Sequence, residues 1–186
     1  VVPSALAAAA GSLSSVHAAG AGGKEAVLKL GSQDGRLPGA SLKEKVANLA
    51  QWGGSGLELG GDPRDRIKEV REAIAGTGVT VSALCWGSHN GDLVSTDADK
   101  RRQGIEALKR ALATAGELGA NGVIFVPCFH KQSELEPAAL DRILLEILPG
   151  LGEEAVKCGT RVLLEPLNRG ETFYLNRVGQ AAEICR

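Results

Sequence analysis

The chain has 186 residues, a formal net charge of −1, and 44% hydrophobic against 23% charged residues, enough length for one domain with a buried core. That charge leaves no electrostatic footprint for nucleic acid and no polybasic patch for a membrane surface. No stretch reaches the roughly 20 uninterrupted apolar residues that a bilayer-spanning helix needs. Aromatics make up only 3% of a chain with 25 glycines, so the core must rest on Leu, Val, Ile and Ala.

Residues 1–23 are rich in Ala, Ser and Gly and carry no Asp, Glu, Lys or Arg until Lys24. Val16-His17-Ala18 and Ala19-Gly20-Ala21 both fit the small-x-small cleavage pattern of an export signal. The expectation is a clipped signal peptide and an exported or periplasmic protein. The alternatives are a disordered Ala/Gly linker and a cytoplasmic location. The structural domain is expected over 24–186.

From Ala26 onward, short apolar runs alternate with helical patterns. Residues 26–30 read as a first strand. Leu42, Val46, Leu49 and Ala50 then recur at helical spacing through Trp52, with Ser41 as N-cap and Glu44 as the capping-box partner. Residues 56–59 form a second strand, and Asp62-Pro63 opens a helix reaching about Ala75. A third strand over 79–86 follows Gly76-Thr77-Gly78. The long pattern 96–118 places Ile105, Leu108, Leu112 and Ala115 on one helix face and ends at Gly119. Residues 123–126 are apolar throughout, as strands covered on both faces tend to be. A helix over 137–157 should bend or split near Pro149-Gly150. Residues 161–165 are the fifth strand, and a fifth helix starts at Asn176.

Strict alternation of strand and helix predicts an α/β fold with parallel strands and helical crossovers. Two architectures fit: the first five units of a (β/α)8 TIM barrel, or an open five-stranded doubly wound parallel sheet. The uncapped end at Ile184-Cys185-Arg186 and the absence of an initiator methionine favour a partial barrel, inactive alone. A partial barrel exposes the edges of strands one and five, which allows self-association into a homo-oligomer. The four cysteines, Cys85, Cys128, Cys158 and Cys185, form no CxxC pair, so zinc-ribbon and thioredoxin patterns are excluded and no disulfide is expected.

Chemistry concentrates at strand ends. Glu58 lies in the second strand and Glu165 closes the fifth, and a half-buried carboxylate is costly unless paired, hydrogen-bonded or bound to metal. Glu165 could instead accept loop N–H groups, and Glu58 could pair with Arg64 or Arg66. His89 follows the third strand and His130 the fourth, both at the mouth of a barrel, where a surface loop is the bland reading of each. Trp86 could stack on a ligand ring or simply fill the core. Gly53-Gly54 and Gly60-Gly61 lack the Gly-Lys-Ser/Thr of a phosphate loop.

The run Glu165-Pro166-Leu167-Asn168-Arg169 with Glu171 resembles the fifth-strand motif of ketose 3-epimerases and related sugar isomerases of the xylose isomerase-like barrel superfamily. Gly56-Leu57-Glu58, the segment Gly91 to Asp97, and Ala115 to Ala120 extend the likeness over roughly 26–186. The resemblance implies a divalent-metal-dependent isomerase or epimerase of a sugar or related ketose. Proton abstraction next to a carbonyl would form an enediolate, stabilised by manganese or magnesium. Carried onto this chain, Glu165 is the catalytic carboxylate and metal ligand. Glu171, Arg169, Asn168, Glu58 and His89 are the substrate-side residues. The family's remaining ligands, on strands six to eight, have no counterpart in this sequence. The partner is a small sugar, with neither nucleic acid nor membrane. An endonuclease IV-like phosphodiesterase shares the barrel, but it would want more histidines and a basic surface. A non-catalytic α/β binding domain is the third reading.

Overall fold

Four of the five apolar runs form strands, a further strand begins where the first run ends, and each strand is followed by a helix. The structure, a computed structural model, describes residues 27–186; the leader proposed for residues 1–23, with His17, lies outside them. The strands are β1 (Leu30–Gln33), β2 (Gly54–Gly60), β3 (Thr80–Gly87), β4 (Val123–Phe125) and β5 (Val162–Leu164). The helices are α1 (Leu42–Gln51), α2 (Ile67–Ile74), α3 (Ala98–Leu118), α4 (Pro137–Lys157) and α5 (Val178–Ile184), with short 3-10 turns at Asp34–Arg36, Arg64–Arg66 and His89–Val94. Among the described residues, no helix is long and apolar enough to cross a membrane.

Strand order decides between the two expected architectures. The sheet runs β1-β2-β3-β4-β5, and every neighbouring pair is parallel. A doubly wound sheet reverses its order at a switch point. Here each strand adds beyond the last, the order in which crossovers of one hand lay successive helices along one side of a barrel wall. The result is an open arc of barrel wall. Past β5, the sheet edge, α4 and α5 flank an apolar groove of about 490 Å³ lined by residues including Leu145, Val156, Leu164 and Ile184.

The helix-covered face holds the core. Leu57, Leu59, Val81, Leu84, Val123 and Phe125 are each 1% exposed or less, and they join Val46, Leu49, Val70, Leu108, Leu112, Leu140, Leu144 and Leu151 from the helices. Because successive side chains alternate across a strand, Glu58, between buried Leu57 and Leu59, must face the other way. On that opposite face Ile124 pairs with Leu163, both half-buried.

Helix ends follow the sequence signals closely. Ser41 Oγ accepts the Glu44 N–H at 3.2 Å, and Glu44 reaches back to the Ala40 N–H at 2.7 Å. Asp97 Oδ1 accepts from Asp99 N–H (2.8 Å) and Lys100 N–H (3.2 Å), so α3 begins at Ala98 and not at residue 96. Gly119, at φ 68°, closes it in the left-handed region. Two glycines permit close packing: a Cβ on Gly116 would sit 2.0 Å from the Cys158 carbonyl oxygen, and one on Gly122 would sit 2.5 Å from Leu163 Cγ.

Four expectations need correction. The first strand lies at 30–33, not 26–30, and Val27 and Leu28 are 78% and 97% exposed. Its pairing depends on Gly31 lying against the Gly56 carbonyl, where a Cβ would sit 3.1 Å away. Asp62-Pro63 does not open a helix. Asp62 Oδ1 instead accepts the Arg64 N–H at 3.2 Å in a local turn, and α2 starts at Ile67 after a 3-10 turn. Helix α4 is not split, because Pro149 and Gly150 lie on its exposed side, where the lost backbone hydrogen bond faces solvent. The fifth helix starts at Val178, since Asn176 is engaged in closing the loop before it.

Candidate active site

The sheet face away from the helices ends in a row of polar groups. Glu165 directly follows β5, and its N–H continues the ladder by donating to Phe125 O at 2.9 Å. It lies two residues past Leu163, so its side chain falls on the same side as Leu163 and Glu58. Glu58 accepts from Gln33 Nε2 at 2.7 Å, from the end of the neighbouring β1. The Cys85 side chain, from β3, lies close enough to Glu58 to feel its charge. Gln33, Asp34, Glu58, Gly60 and Cys85 line a small cleft of about 200 Å³.

Electrostatics tie these groups to Glu165. Its carboxyl is pushed above the ordinary value of 4.5, first by burial and then by the negative charges of Glu58 and Glu171. Burial, with the charges of Glu58 and Glu165, likewise raises the Cys85 thiol. Among the described residues the Glu165 carboxylate has no hydrogen-bond donor. A half-buried, donor-poor carboxylate facing two others costs free energy unless a proton or a ligand meets it.

Glu58 does not pair with the arginines that were its structural alternative. Arg64 is bonded to Asp62, and Arg66 to Glu69.

The loop after β5 places the remaining motif residues. Leu167 N–H donates to Leu175 O at 3.1 Å, closing the loop at its base. Asn168 Oδ1 accepts the Gly170 N–H at 2.8 Å, and its amide donates to Glu171. Arg169 is exposed and joins the network through its carbonyl, which accepts from His130 Nε2 at 3.0 Å. Buried Tyr174 donates from its hydroxyl to Asp141 on α4. His89 is engaged by its own neighbours. Its ring stacks on Trp86 with centroids 4.9 Å apart, and its Nδ1 lies 2.9 Å from Asp92 Oδ2.

Glu165, Glu58 and Glu171 are therefore the expected residues that the fold brings together, with Asn168 and Arg169 in the adjoining loop. Gln33 and Cys85 complete the row without having been singled out. Gln33 lay outside the first strand as read from its apolar run, and the spacing of Cys85 among the cysteines pointed to no function. Among the described residues, no group of three or more His, Cys, Asp or Glu side chains is placed to hold a metal ion. Glu165 offers one hard oxygen donor, and these residues do not by themselves build a metal site. All four cysteines are free thiols.

Comparison with known proteins places this geometry in a family. The chain is 29% identical over 164 residues to the 3-dehydro-D-guloside 4-epimerase of Escherichia coli (strain K12), a match covering 83% of this chain and 62% of that protein. The crystal structure of 3-keto-D-glucoside 4-epimerase from E. coli, in its apo form, superposes with a TM-score of 0.74 at 26% identity, over 85% of this chain and 63% of that one. D-psicose 3-epimerase from Clostridium cellulolyticum H10, solved with D-tagatose, shares the fold with a TM-score of 0.74 at 19% identity, over 85% and 59%. The chain thus spans a little under two thirds of the length of these relatives. The family model for the xylose isomerase-like TIM barrel matches residues 46–186, and the chain belongs to that family.

Proposed function

We propose that the whole protein is a sugar epimerase that inverts a carbon next to a ketone, and that Glu165 takes or returns the proton at that carbon. The observation that carries this reading is the Glu165 carboxylate itself, donor-poor and half-buried at the end of β5. Its relatives support the reaction class. In a 3-keto sugar, carbon 4 is adjacent to the carbonyl, so its proton is acidified and can be exchanged through an enediolate. A carboxylate whose affinity for protons is raised by burial is better matched to that transfer than an ordinary surface glutamate. Glu58, fixed by Gln33, and Glu171, fixed by Asn168, supply acceptors for sugar hydroxyls around it.

Manganese or magnesium belongs to this proposal as the group that would stabilise enediolate charge, with Glu165 as one ligand and others required beyond the described residues. A 3-keto-glycoside is the substrate class we favour over a free ketose, because the matches at 29% and 26% identity described above are named for such compounds.

The test is the Glu165→Gln substitution in the whole protein, assayed for 4-epimerisation of a 3-keto-glucoside with added manganese. The expected outcome is a loss of kcat of at least about 100-fold, the scale of a general acid–base contribution. Unchanged turnover would refute the assignment.

A further inference from the structure

Glu171 can serve the site only if the exposed loop that carries it has one conformation. Inside the loop the bonds are local. Glu171 and Thr172 N–H groups donate to Asn168 O at 3.0 and 3.2 Å, and Gly170 N–H donates to Asn168 Oδ1. These bonds shape a turn but do not orient it against the barrel wall. The outward ties come from the segment after β4. Cys128 and Thr172 are both buried where that segment meets the turn. His130 then grips the turn twice: its N–H donates to Glu171 O at 2.9 Å, and its ring Nε2 lies 3.0 Å from Arg169 O. A carbonyl oxygen only accepts, so Nε2 carries the hydrogen and the ring is a donor at that position. The two grips fall on either side of Gly170, a residue with little conformational restraint of its own.

We propose that His130 is a positioning residue, whose ring holds the Asn168–Thr172 turn, and with it the Glu171 carboxylate, in the site-facing conformation before any ligand arrives. This use of the clamp rests on the proposed role of Glu171, although the clamp itself can be tested without turnover. The backbone grip survives any substitution at position 130, so the ring's contribution is separable. Glutamine places its amide nitrogen about where Nε2 stands, whereas asparagine reaches only as far as Nδ1.

Amide hydrogen exchange in the ligand-free chain, followed residue by residue by NMR, tests it. His130→Ala and His130→Asn should speed exchange at Gly170, Glu171 and Thr172 about three- to tenfold, the range expected from losing one net hydrogen bond. His130→Gln should restore rates to within about twofold of the unsubstituted chain, and amides of β3 and β4 should not change in any variant. Wild-type exchange in His130→Ala would overturn the proposal. So would a failure of glutamine to rescue, or acceleration spread equally through β3 and β4, which would mark a general loss of stability. None of these readouts depends on catalysis, so an inactive preparation leaves the test intact.

Discussion

Tyr174 is the only tyrosine in the chain, and its hydroxyl anchors the loop after β5 to α4 by donating to Asp141. Tyr174→Phe removes that one oxygen and leaves the ring, which is 3% exposed, in place. A hydrogen bond to a charged group contributes about 1.5–3 kcal/mol net. Asp141 is only half-buried and can recover water, so the cost should fall at the low end, about 1.5–2 kcal/mol. For a domain of this size, that corresponds to a fall in Tm of about 3–8 °C, measurable by circular dichroism at pH 7. The bond also sets a pH dependence. Burial first, and then Asp141, push the phenol above its ordinary value of 10.0. The native state therefore holds this proton more tightly than the unfolded state does. The stabilisation is complete below pH 10 and is lost as pH rises above it. With a single tyrosine, the pH-dependent rise at 295 nm above the absorbance of the two tryptophans reports Tyr174 ionisation, and tyrosinate should appear only together with base unfolding. Reversible ionisation near pH 10 in the folded chain, or a Tyr174→Phe variant melting within 1 °C of the unsubstituted chain, would refute the buried bond.

Two further substitutions test the packing and the charge of the site. Gly116→Ala puts a Cβ against the Cys158 carbonyl, a backbone atom that cannot move aside. It should cost about 3 kcal/mol or more despite the better helix propensity, whereas Gly150→Ala, in open space on α4, should be neutral or stabilising by up to about 1 kcal/mol; urea titration of both variants gives the comparison. Glu165→Gln should stabilise the ligand-free chain at pH 7. Its carboxyl is raised above 4.5 by burial and by Glu58 and Glu171, so the charged form is penalised in the native state. That penalty is absent below pH 4.5 and grows as pH rises through the raised value. The advantage of the variant over the parent should therefore shrink from pH 7 to pH 4, and an equal advantage at both would contradict the account.

What could be read from the sequence was what local chemistry decides. The apolar run 123–126 and the periodic face of 96–118 ending at Gly119 specify β4 and α3 with little outside help, and the spacing of Glu165 and Glu171 placed two carboxylates at one strand end. What could not be read depends on contacts distant in the chain. The first strand is positioned by Gly31 against Gly56 and not by the Val27-Leu28 run, so Gln33, the partner of Glu58 25 residues away, stayed hidden. The hydrogen bond from His130 to Arg169 spans 39 residues and that from Tyr174 to Asp141 spans 33. No periodicity or cap signal encodes either. Strand order was undecidable for the same reason, since alternation fits a barrel and a doubly wound sheet equally until the pairs are known.

The central claim is that the whole protein moves a proton at a carbon beside a ketone. Its most direct test is 4-epimerisation of a 3-keto-glucoside in D2O, with the product examined by mass spectrometry and NMR. The account predicts one deuterium at the inverted carbon, with both inversion and label lost in Glu165→Gln. Inversion without solvent deuterium, or labelling that persists in Glu165→Gln, would contradict it.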